Sequence, residues 1–276
     1  SLLISKQLKY TREKDLGFEK ERILTIDLSL PVLRNRENVR ERLLQNPEIL
    51  DVSYSYTIPG SHLNYEGFTI NNKNVDPQVF SIDPDYIETF GLEIVAGRGF
   101  DKNISSDSVS NCLINETLAR ETGFDDPLGE SFFHESWYIT MFPVKNIRII
   151  GIVKDFHFKS FRTAIEPLML AWNTDWFGYM NIKIAEGKIA PAMQKIRDIL
   201  NEFAPGVPMN YQFIDDSFDN MYKSDERLGK ILLYFTLLAI LICILGLIGL
   251  AVFMTEQRIR EIAILKTYGA TVASVI

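Results

Sequence analysis

The sequence predicts an α+β protein with two βαβ-like units, a β-rich insert between them and a transmembrane α-helix after them. One observation is a strand–helix–strand pattern that occurs early in the chain and again late. Another is the segment between these patterns, which is rich in turn residues and short alternating runs. The third is an uncharged apolar run near the end of the chain, long enough to cross a bilayer.

The first βαβ-like unit covers residues 23–58. Apolar and polar residues alternate from Ile23 and again over residues 49–57, which predicts two strands. Apolar residues at helical spacing over residues 35–46 predict a helix between these strands. The order strand, helix, strand predicts half of a layered α+β subdomain.

The second unit covers residues 177–215 and repeats this pattern. Residues 179–185 and 209–214 alternate as strands. Residues 189–203 gather their apolar side chains on one face of a helix. The two units are therefore expected to form one split subdomain, which the intervening chain interrupts.

The interrupting segment, residues 59–176, is predicted to be a β-rich subdomain with one or two short helices. One helix is expected to begin after Asn115, a favourable N-cap residue, and to stop at Gly123. Turn dipeptides separate the strand candidates from one another. These candidates are residues 67–70, 78–82, 92–96, 111–114 and 148–153.

The composition excludes one class of partner. The chain has 276 residues, with 29 Lys and Arg against 36 Asp and Glu, and a net charge of −7 at pH 7. Nucleic-acid-binding proteins normally present a basic face, so we expect no nucleic acid partner. The hydrophobic fraction of 46% is too high for a disordered chain.

The sequence shows no motif for bond chemistry. It contains neither a phosphate-binding loop nor a nucleophile elbow, and its three histidines are far apart. Asp155 and His157 could share one side of a strand, but a polar strand end that leads into a loop is the simpler interpretation. Cys112 and Cys243 show neither a disulfide framework nor a metal-ligand spacing. We expect no catalytic residue, no metal site and no cofactor.

The apolar run covers residues 231–254 and contains no charged residue. As a helix it would be about 36 Å long, enough for a hydrocarbon core of about 30 Å. Gly246 and Gly249 are small positions at which a neighbouring transmembrane helix could approach closely. A buried core helix of a soluble protein is the alternative interpretation.

Charge does not orient this span by itself, because equal numbers of basic residues flank its two ends. They are Lys223, Arg227 and Lys230 before the span and Arg258, Arg260 and Lys266 after it. Residues 1–4 are largely apolar and begin without Met, so we expect them to be the end of an earlier transmembrane helix. An engineered start on a soluble domain is the alternative.

The segment after the span predicts a helix that leaves the membrane and then turns. Glu256 and Arg260 form an i,i+4 pair, which favours continuation of the helix. Gly269 is expected to end it, and Thr271 can cap a following helix. Two interpretations remain open from these residues: a surface knob that a peripheral protein grips, and an ordinary turn between two transmembrane helices.

Residues 260–271, REIAILKTYGAT, resemble the signature R/K-E-I-G-I-x-K/R-x-x-G-A-[ST] of the MacB/FtsX-like ABC transporter permeases. Ala263 stands where this family usually has Gly. Further segments resemble family patterns in the same order, so the resemblance extends over nearly the whole chain. These segments are residues 15–18, 115–116, 126–129, 150–158, 166–168 and 226–229.

The resemblance implies a permease subunit without catalytic residues. In this family a separate cytosolic ABC ATPase hydrolyses ATP, and the permease works as a dimer in the lipid bilayer. It implies a multi-pass protein of the bacterial inner membrane, with residues 15–222 in the periplasm and residues 255–276 in the cytoplasm. A periplasmic partner protein is a further expectation. The movement of the periplasmic domain serves efflux, extrusion or transmission of a mechanical signal.

The resemblance also assigns a role to each part of the chain. The expected parts are the end of a preceding transmembrane helix with a stalk (1–22), a porter-like subdomain in two halves (23–58 and 177–215), an inserted sabre-like subdomain (59–176), a second stalk (216–230), the transmembrane helix (231–254) and a cytoplasmic coupling segment (255–276). In this family the coupling segment contacts the ATPase. The residues expected to do so are Arg260, Glu261, Ile262, Lys266, Gly269, Ala270 and Thr271.

Two other functions remain as alternatives. One is a membrane-anchored extracytoplasmic sensor or ligand-binding domain, against which the sequence of residues 260–271 argues. The other is an extracytoplasmic enzyme with a C-terminal anchor, against which the absence of a nucleophile or metal motif argues.

Overall fold

A computed structural model of the chain describes residues 17–19, 21–60, 67–71, 73–133, 146–159, 163–173 and 177–267. The chain divides into two compact units. The described residues up to Met221 belong to one unit, and those from Tyr222 belong to the other.

The strands and helices are numbered in chain order. The strands are β1 (Ile23–Asp27), β2 (Ile49–Ser55), β3 (Phe68–Ile70), β4 (Lys73–Val75), β5 (Gln78–Ser81), β6 (Ile94–Gly97), β7 (Asn111–Asn115), β8 (Ser131–Phe133), β9 (Asn146–Val153), β10 (Leu168–Ala171), β11 (Tyr179–Ile184) and β12 (Tyr211–Phe213). The helices are α1 (Leu30–Arg34), α2 (Arg36–Leu44), α3 (Tyr86–Thr89), α4 (Glu116–Thr122), α5 (Ile189–Phe203) and α6 (Ile214–Thr267), with a 3₁₀ turn at Ser105–Ser108.

The first and last strands of the core form one sheet in the order β12-β1-β11-β2, here called the small sheet. All its neighbouring strands are antiparallel, and β11 lies between β1 and β2. The two βαβ-like units are therefore interleaved, which is the split βαβ arrangement of ferredoxin-like folds. The expected split subdomain is confirmed.

Helices α2 and α5 cover one face of the small sheet. Val39 and Leu43 of α2 and Ile196 of α5 are fully buried against Val52 of β2 and Ile182 of β11. The apolar residues of α5 recur every three or four positions, so one face of this helix lies in the core and the other in solvent. Burial of these residues removes apolar surface from water, which is the main source of stability for this layer.

The helix expected over residues 35–46 is present as α2, and a further short helix, α1, precedes it. Pro31 lies in the first turn of α1, where the lack of an N–H is harmless. Asn35 leaves the helical conformation with φ −109° and ψ 20°, and its side chain donates to the Pro31 carbonyl. This residue therefore ends α1 and precedes α2, a break that apolar spacing does not reveal.

The remaining strands form a second sheet, here called the large sheet, in the order β4-β3-β8-β9-β7-β10-β5, with β6 paired to β9. It is mixed: β7 runs parallel to β9, and β10 runs parallel to β5, while β10 and β7 are antiparallel. All of its strands lie between β2 and β11 in sequence. The insert is therefore β-rich, as expected.

Asn115 performs the capping role that its sequence position predicts. Its side-chain oxygen accepts from Leu118 N at 2.9 Å at the start of α4, and also from Leu168 N of β10 at 2.9 Å. Its Nδ2 donates to the Glu166 carbonyl at 2.9 Å. Gly123 ends α4 in the left-handed conformation, with φ 71°. One buried amide thus starts a helix and fixes it to the neighbouring strand.

The two sheets meet at their edge strands, β2 and β5. A bridge pairs Ser55 with Ile82, Tyr56 N donates to the Ser81 carbonyl at 2.9 Å, and Asp83 N donates to the Tyr54 carbonyl at 3.0 Å. The chain after β5 then forms α3, whose Thr89 hydroxyl donates to Asp51 Oδ2 of β2 at 2.8 Å. The edges of both sheets are thereby paired with each other.

Aromatic side chains pack between the two sheets. Phe18 lies 6.0 Å from Phe90 and 5.9 Å from Phe156, measured between ring centroids. Phe158 continues this chain, at 5.6 Å from Phe156 and 5.6 Å from Phe80. Because Phe18 precedes β1 and the other rings belong to the insert, this aromatic core joins the start of the described chain to the large sheet.

Candidate functional site

Helix α6 contains the one segment, within the described residues, that is long and apolar enough to cross a membrane. This segment is Ile231–Ile264, about 51 Å at 1.5 Å per residue. No part of its most apolar stretch is buried inside the protein. A core helix of a soluble protein would be mostly buried, so this exposure argues against the core-helix interpretation.

The two threonine hydroxyls of this segment are satisfied within the helix itself. The hydroxyl of Thr236 donates to the Leu232 carbonyl at 2.8 Å, and that of Thr255 donates to the Ala251 carbonyl at 2.7 Å. Such bonds to the preceding turn remove the need for water, so both hydroxyls are compatible with lipid.

The predicted packing positions, Gly246 and Gly249, lie on α6 with open space around them. A Cβ atom built at either glycine would meet no atom of the described chain within 4 Å. A close approach by another helix is sterically allowed at both. Their role in packing between helices stays a prediction.

The expected ATPase-coupling residues fall at the end of α6 and beyond it. Arg260 is exposed and Ile262 is half-buried, both on the helix. Glu261 and Lys266 belong to the same helix, and Gly269, Ala270 and Thr271 lie outside the described residues. The structure therefore places the first four on one continuous helix with the apolar span, and their role in coupling stays a prediction.

Substitution of Leu241 by arginine is expected to prevent stable membrane integration. Leu241 lies near the middle of the span, where arginine costs about 3 kcal/mol for insertion. We expect the equilibrium constant of insertion, measured as the ratio of membrane-retained to extracted chain after alkaline treatment, to fall by about a hundredfold. Leu241→Phe is the matched control, because it keeps the position apolar. Equal retention of the two variants would contradict a lipid-facing span.

Asp155 has a structural role at the start of α4. Its carboxylate accepts from the Thr117 N–H at 2.9 Å and hydroxyl at 2.8 Å, and from Arg120 Nη2 at 2.9 Å. Its own N–H donates to Glu116 Oε2 at 2.9 Å. A carboxylate at the start of α4 satisfies free N–H groups of the first turn and interacts favourably with the helix dipole. The interpretation as a polar strand end is supported.

A buried ionic cluster at the junction of the two sheets does not follow from the sequence. Arg40 of α2 is 6% exposed, and its guanidinium contacts Asp83, which is 3% exposed, in a very short ion pair. Arg40 Nη1 also lies 2.7 Å from Asp85 Oδ2 and 3.2 Å from Glu37 Oε2, and Lys102 Nζ lies 2.7 Å from Asp85 Oδ2. We call these five residues the ionic clasp.

Arg40 and Asp83 are the buried members of the ionic clasp, whereas Asp85 is half-buried and Glu37 and Lys102 are exposed. The Arg40 guanidinium carbon lies 4.8 Å from the centre of the Tyr54 ring, a cation–π contact. Burial raises the pKa of the Asp83 carboxyl to about 7, while the charge of Arg40 acts in the opposite direction. Within the clasp, the Arg40–Asp83 ion pair therefore has a high desolvation cost.

A weak sequence signal for the clasp does exist. Arg40 is followed at helical spacing by the core residue Leu43, so it stands at the border of the apolar face. Asp83 and Asp85 flank a proline directly after a buried strand. Neither feature indicates that these segments meet, because they are separated by the chain of β2 to β5.

Comparison with known proteins then identifies the core. The family model for the MacB-like periplasmic core domain matches residues 19–199, which contain all of the large sheet and most of the small sheet. The chain belongs to this family. The MacB-like resemblance is confirmed by this match, which ends before α6 and so does not include residues 260–271.

Two solved structures are similar to this chain. The periplasmic region of MacB from Actinobacillus actinomycetemcomitans is 14% identical, with 78% of this chain and 97% of that chain covered and a TM-score of 0.51. The extracellular domain of the noncanonic ABC-type transporter YknZ from Gram-positive bacteria is 15% identical, with 69% and 97% covered and a TM-score of 0.47. A comparison with curated protein sequences finds no match. The first of these structures supports the mixed α/β fold with several sheets.

The family assignment and α6 together define the class of protein. The matched region is the MacB-like periplasmic core domain of ABC-transporter permease-type proteins. The same chain carries a helix that is suited to a membrane. The chain is therefore a periplasmic core domain joined in sequence to a candidate membrane anchor.

Proposed function

We propose that the chain is a permease subunit of a MacB/FtsX-like ABC transporter, which couples ATP hydrolysis on a separate cytosolic subunit to movement of the periplasmic core domain. The observation that carries this proposal is α6, which follows β12 directly and continues unbroken from Ile214 to Thr267. A continuous helix transmits displacement along its axis, because its backbone hydrogen bonds resist bending and stretching.

The proposed division of labour follows the expected domains. Residues 23–58 and 177–215 act as the porter-like part and residues 59–176 as the sabre-like part. Residues 216–230 serve as a stalk, and the cytoplasmic segment 255–276 contacts the ATPase. No residue of the chain breaks or forms a covalent bond in this scheme. Two copies of the permease, with Gly246 and Gly249 at helix contacts, complete the membrane part, and a periplasmic partner protein receives or delivers the substrate.

The coupling contact is proposed to lie at the end of α6. Arg260, Glu261, Ile262 and Lys266 belong to the helix, and three of these four residues are charged. Gly269, Ala270 and Thr271 follow and allow the chain to turn. An apolar side chain with charges on both sides of it suits insertion into a groove of a partner protein, with charge complementarity for specificity. Support for this comes from the helical placement of the first four residues.

The test uses the native membrane protein together with the ATPase that co-purifies with it, reconstituted in lipid vesicles. Glu261→Lys and Gly269→Pro are expected to reduce permease-dependent ATP hydrolysis to the level of the ATPase alone. The thermal unfolding of the core domain should stay unchanged. Asp216→Lys is the matched control, because it makes the same charge change at an exposed position of α6 outside the assigned contact.

Two outcomes would contradict this proposal. Native ATP hydrolysis in both variants would exclude the assigned coupling contact. Failure of any ATPase with a phosphate-binding loop to co-purify would instead favour a membrane-anchored sensor or ligand-binding domain.

A further inference from the structure

We propose that the contact between the small sheet and the large sheet is a releasable junction, which the ionic clasp holds closed. The clasp consists of Arg40, Glu37, Asp83, Asp85 and Lys102, as defined above. The inference concerns the core domain by itself and does not require the proposed coupling to an ATPase. It rests on where the buried polar groups without partners lie, and on which elements the charges connect.

The first argument is the distribution of unpaired polar atoms. Within the described part of the chain, every buried side-chain nitrogen or oxygen without a hydrogen-bond partner belongs to one of five residues along this junction. These residues are Arg40, Ser53, Gln78, Asp83 and Tyr86. They lie on α2, on the two edge strands β2 and β5, and in the segment after β5. Gln78 lies farthest from the Ser55–Ile82 bridge, at the start of β5 opposite Leu168 of β10.

A buried polar atom without a hydrogen-bond partner reduces the stability of the folded state, and a stable core normally contains few such atoms. Each such group forfeits its bonds to water without gaining a protein partner, and proteins normally satisfy more than nine-tenths of them. When the junction opens, water can reach Arg40 Nε, Asp83 Oδ1 and the Tyr86 hydroxyl. Hydration of these atoms offsets part of the free energy that is lost with the contacts across the junction. The closed state is therefore favoured less than its buried area suggests.

The second argument is what the charges connect. Arg40 stands on α2 beside the small sheet, whereas Asp83 and Asp85 follow β5 and Lys102 follows β6 of the large sheet. The segment with Asp83 and Asp85 is also bonded to β2 through Asp83 N, and the Asp85–Lys102 pair extends the set of ion pairs to the chain after β6. By contrast, Arg42 on the same helix pairs with Glu202 of α5 at 3.0 Å. Both residues of this pair lie on helices that cover the small sheet.

The third argument is the small number of backbone bonds at the meeting edges. β2 and β5 share the Ser55–Ile82 bridge and the hydrogen bonds of Tyr56 N and Asp83 N, and no ladder between these two strands is present in the described residues. A full ladder would fix the angle between the sheets. With so short a backbone contact, the angle depends on side-chain contacts: the ionic clasp, the Thr89–Asp51 hydrogen bond and the aromatic core. Among these, a buried ion pair is well suited to specify one geometry.

The experiment measures a distance across the junction in the full chain. Spin labels are attached to Lys195→Cys on α5 and Glu121→Cys on α4, both exposed, in a Cys243→Ala background. Cys112 remains unlabelled because it is fully buried, and burial raises the pKa of its thiol. Pulsed electron paramagnetic resonance then gives the distribution of distances between the two labels.

We expect Arg40→Met to raise the population of longer distances by about tenfold, because a buried ion pair loses one partner. Arg42→Met is the matched control and should keep the native distribution. A folded Arg40→Met variant with the native distribution would overturn the proposal. If that variant does not fold, Asp85→Asn decides the question. It removes one half-buried partner of Arg40, so a broadened distribution supports the releasable junction and an unchanged one excludes it.

Discussion

Substitution of Gly151 by alanine is expected to prevent the core domain from reaching its native stability. Gly151 lies in β9, paired with Leu113 of β7 on one side and with Gly97 of β6 on the other. A Cβ atom at Gly151 would lie 2.3 Å from the carbonyl oxygen of Arg98 and 2.9 Å from a methyl carbon of Leu113. Because the first of these atoms is backbone, a side-chain rotation cannot relieve the overlap.

The expected loss is about 3–5 kcal/mol in the free energy of unfolding, a large fraction of the 5–15 kcal/mol that a domain usually has. Gly97→Ala should behave alike, since its Cβ would lie 2.3 Å from the Ile150 carbonyl oxygen and its φ is +74°. Thermal unfolding and resistance to trypsin measure the effect. Gly178→Ala is the control, because its Cβ would stay 3.5 Å from the nearest atom. Native stability in Gly151→Ala would contradict the close approach of β6 to β9.

Truncation of Phe156 to alanine is expected to cost about 3–5 kcal/mol, by loss of apolar contacts and creation of a cavity. This ring is 1% exposed and links Phe18 to Phe158 in the aromatic core between the sheets. Gly17 packs closely against the same residue. A Cβ atom at Gly17 would lie 3.1 Å from Phe156 Cβ and 3.1 Å from the Asp155 carbonyl oxygen. The truncation therefore loosens the segment before β1 as well as the insert.

Urea unfolding of the chain in detergent, followed by circular dichroism in the aromatic region, measures this cost. Phe213→Ala is the matched control, because Phe213 is only half-buried at the edge strand β12 and should lose less. Equal losses in the two variants would mean that the aromatic core contributes no more than a surface contact.

Local sequence patterns were sufficient to predict those elements whose residues interact mainly with their neighbours in the chain. The helix predicted over residues 189–203 has the same bounds in α5, since its apolar face is regular. Asn115 and Gly123 bound α4 as expected, because capping depends on the first and last turns alone. The split α+β class followed from the order of such elements.

Other elements could not be predicted from the sequence, because their residue pattern depends on neighbours that are distant in the chain. The strand β10, LMLA, is buried on both faces, so its residues do not alternate. The helix α3 is a single turn and lies in a segment without periodicity. The position of β11 between β1 and β2 depends on long-range pairing, which no local pattern encodes.

The functional residues divide in the same way. The membrane span and residues 260–271 are contiguous, so composition and a motif were enough to single them out. The ionic clasp connects α2 with the segments that follow β5 and β6. From the sequence alone, each of its charged residues is expected to be a solvated surface group. Only the fold brings Arg40 and Asp83 together in a buried place.

The position of β11 in the small sheet has a consequence for synthesis on the ribosome. β1 and β2 leave the ribosome first, but the strand that lies between them follows only after the whole insert. At about 5–20 residues per second, the roughly 124 residues from the end of β2 to the start of β11 take about 6–25 s. During this time the nascent chain holds two apolar strands without their shared partner. The large sheet, whose strands are contiguous from β3 to β10, can fold in that interval and offer its edge β5 to β2. The order of translation therefore favours assembly of the insert first and closure of the small sheet last.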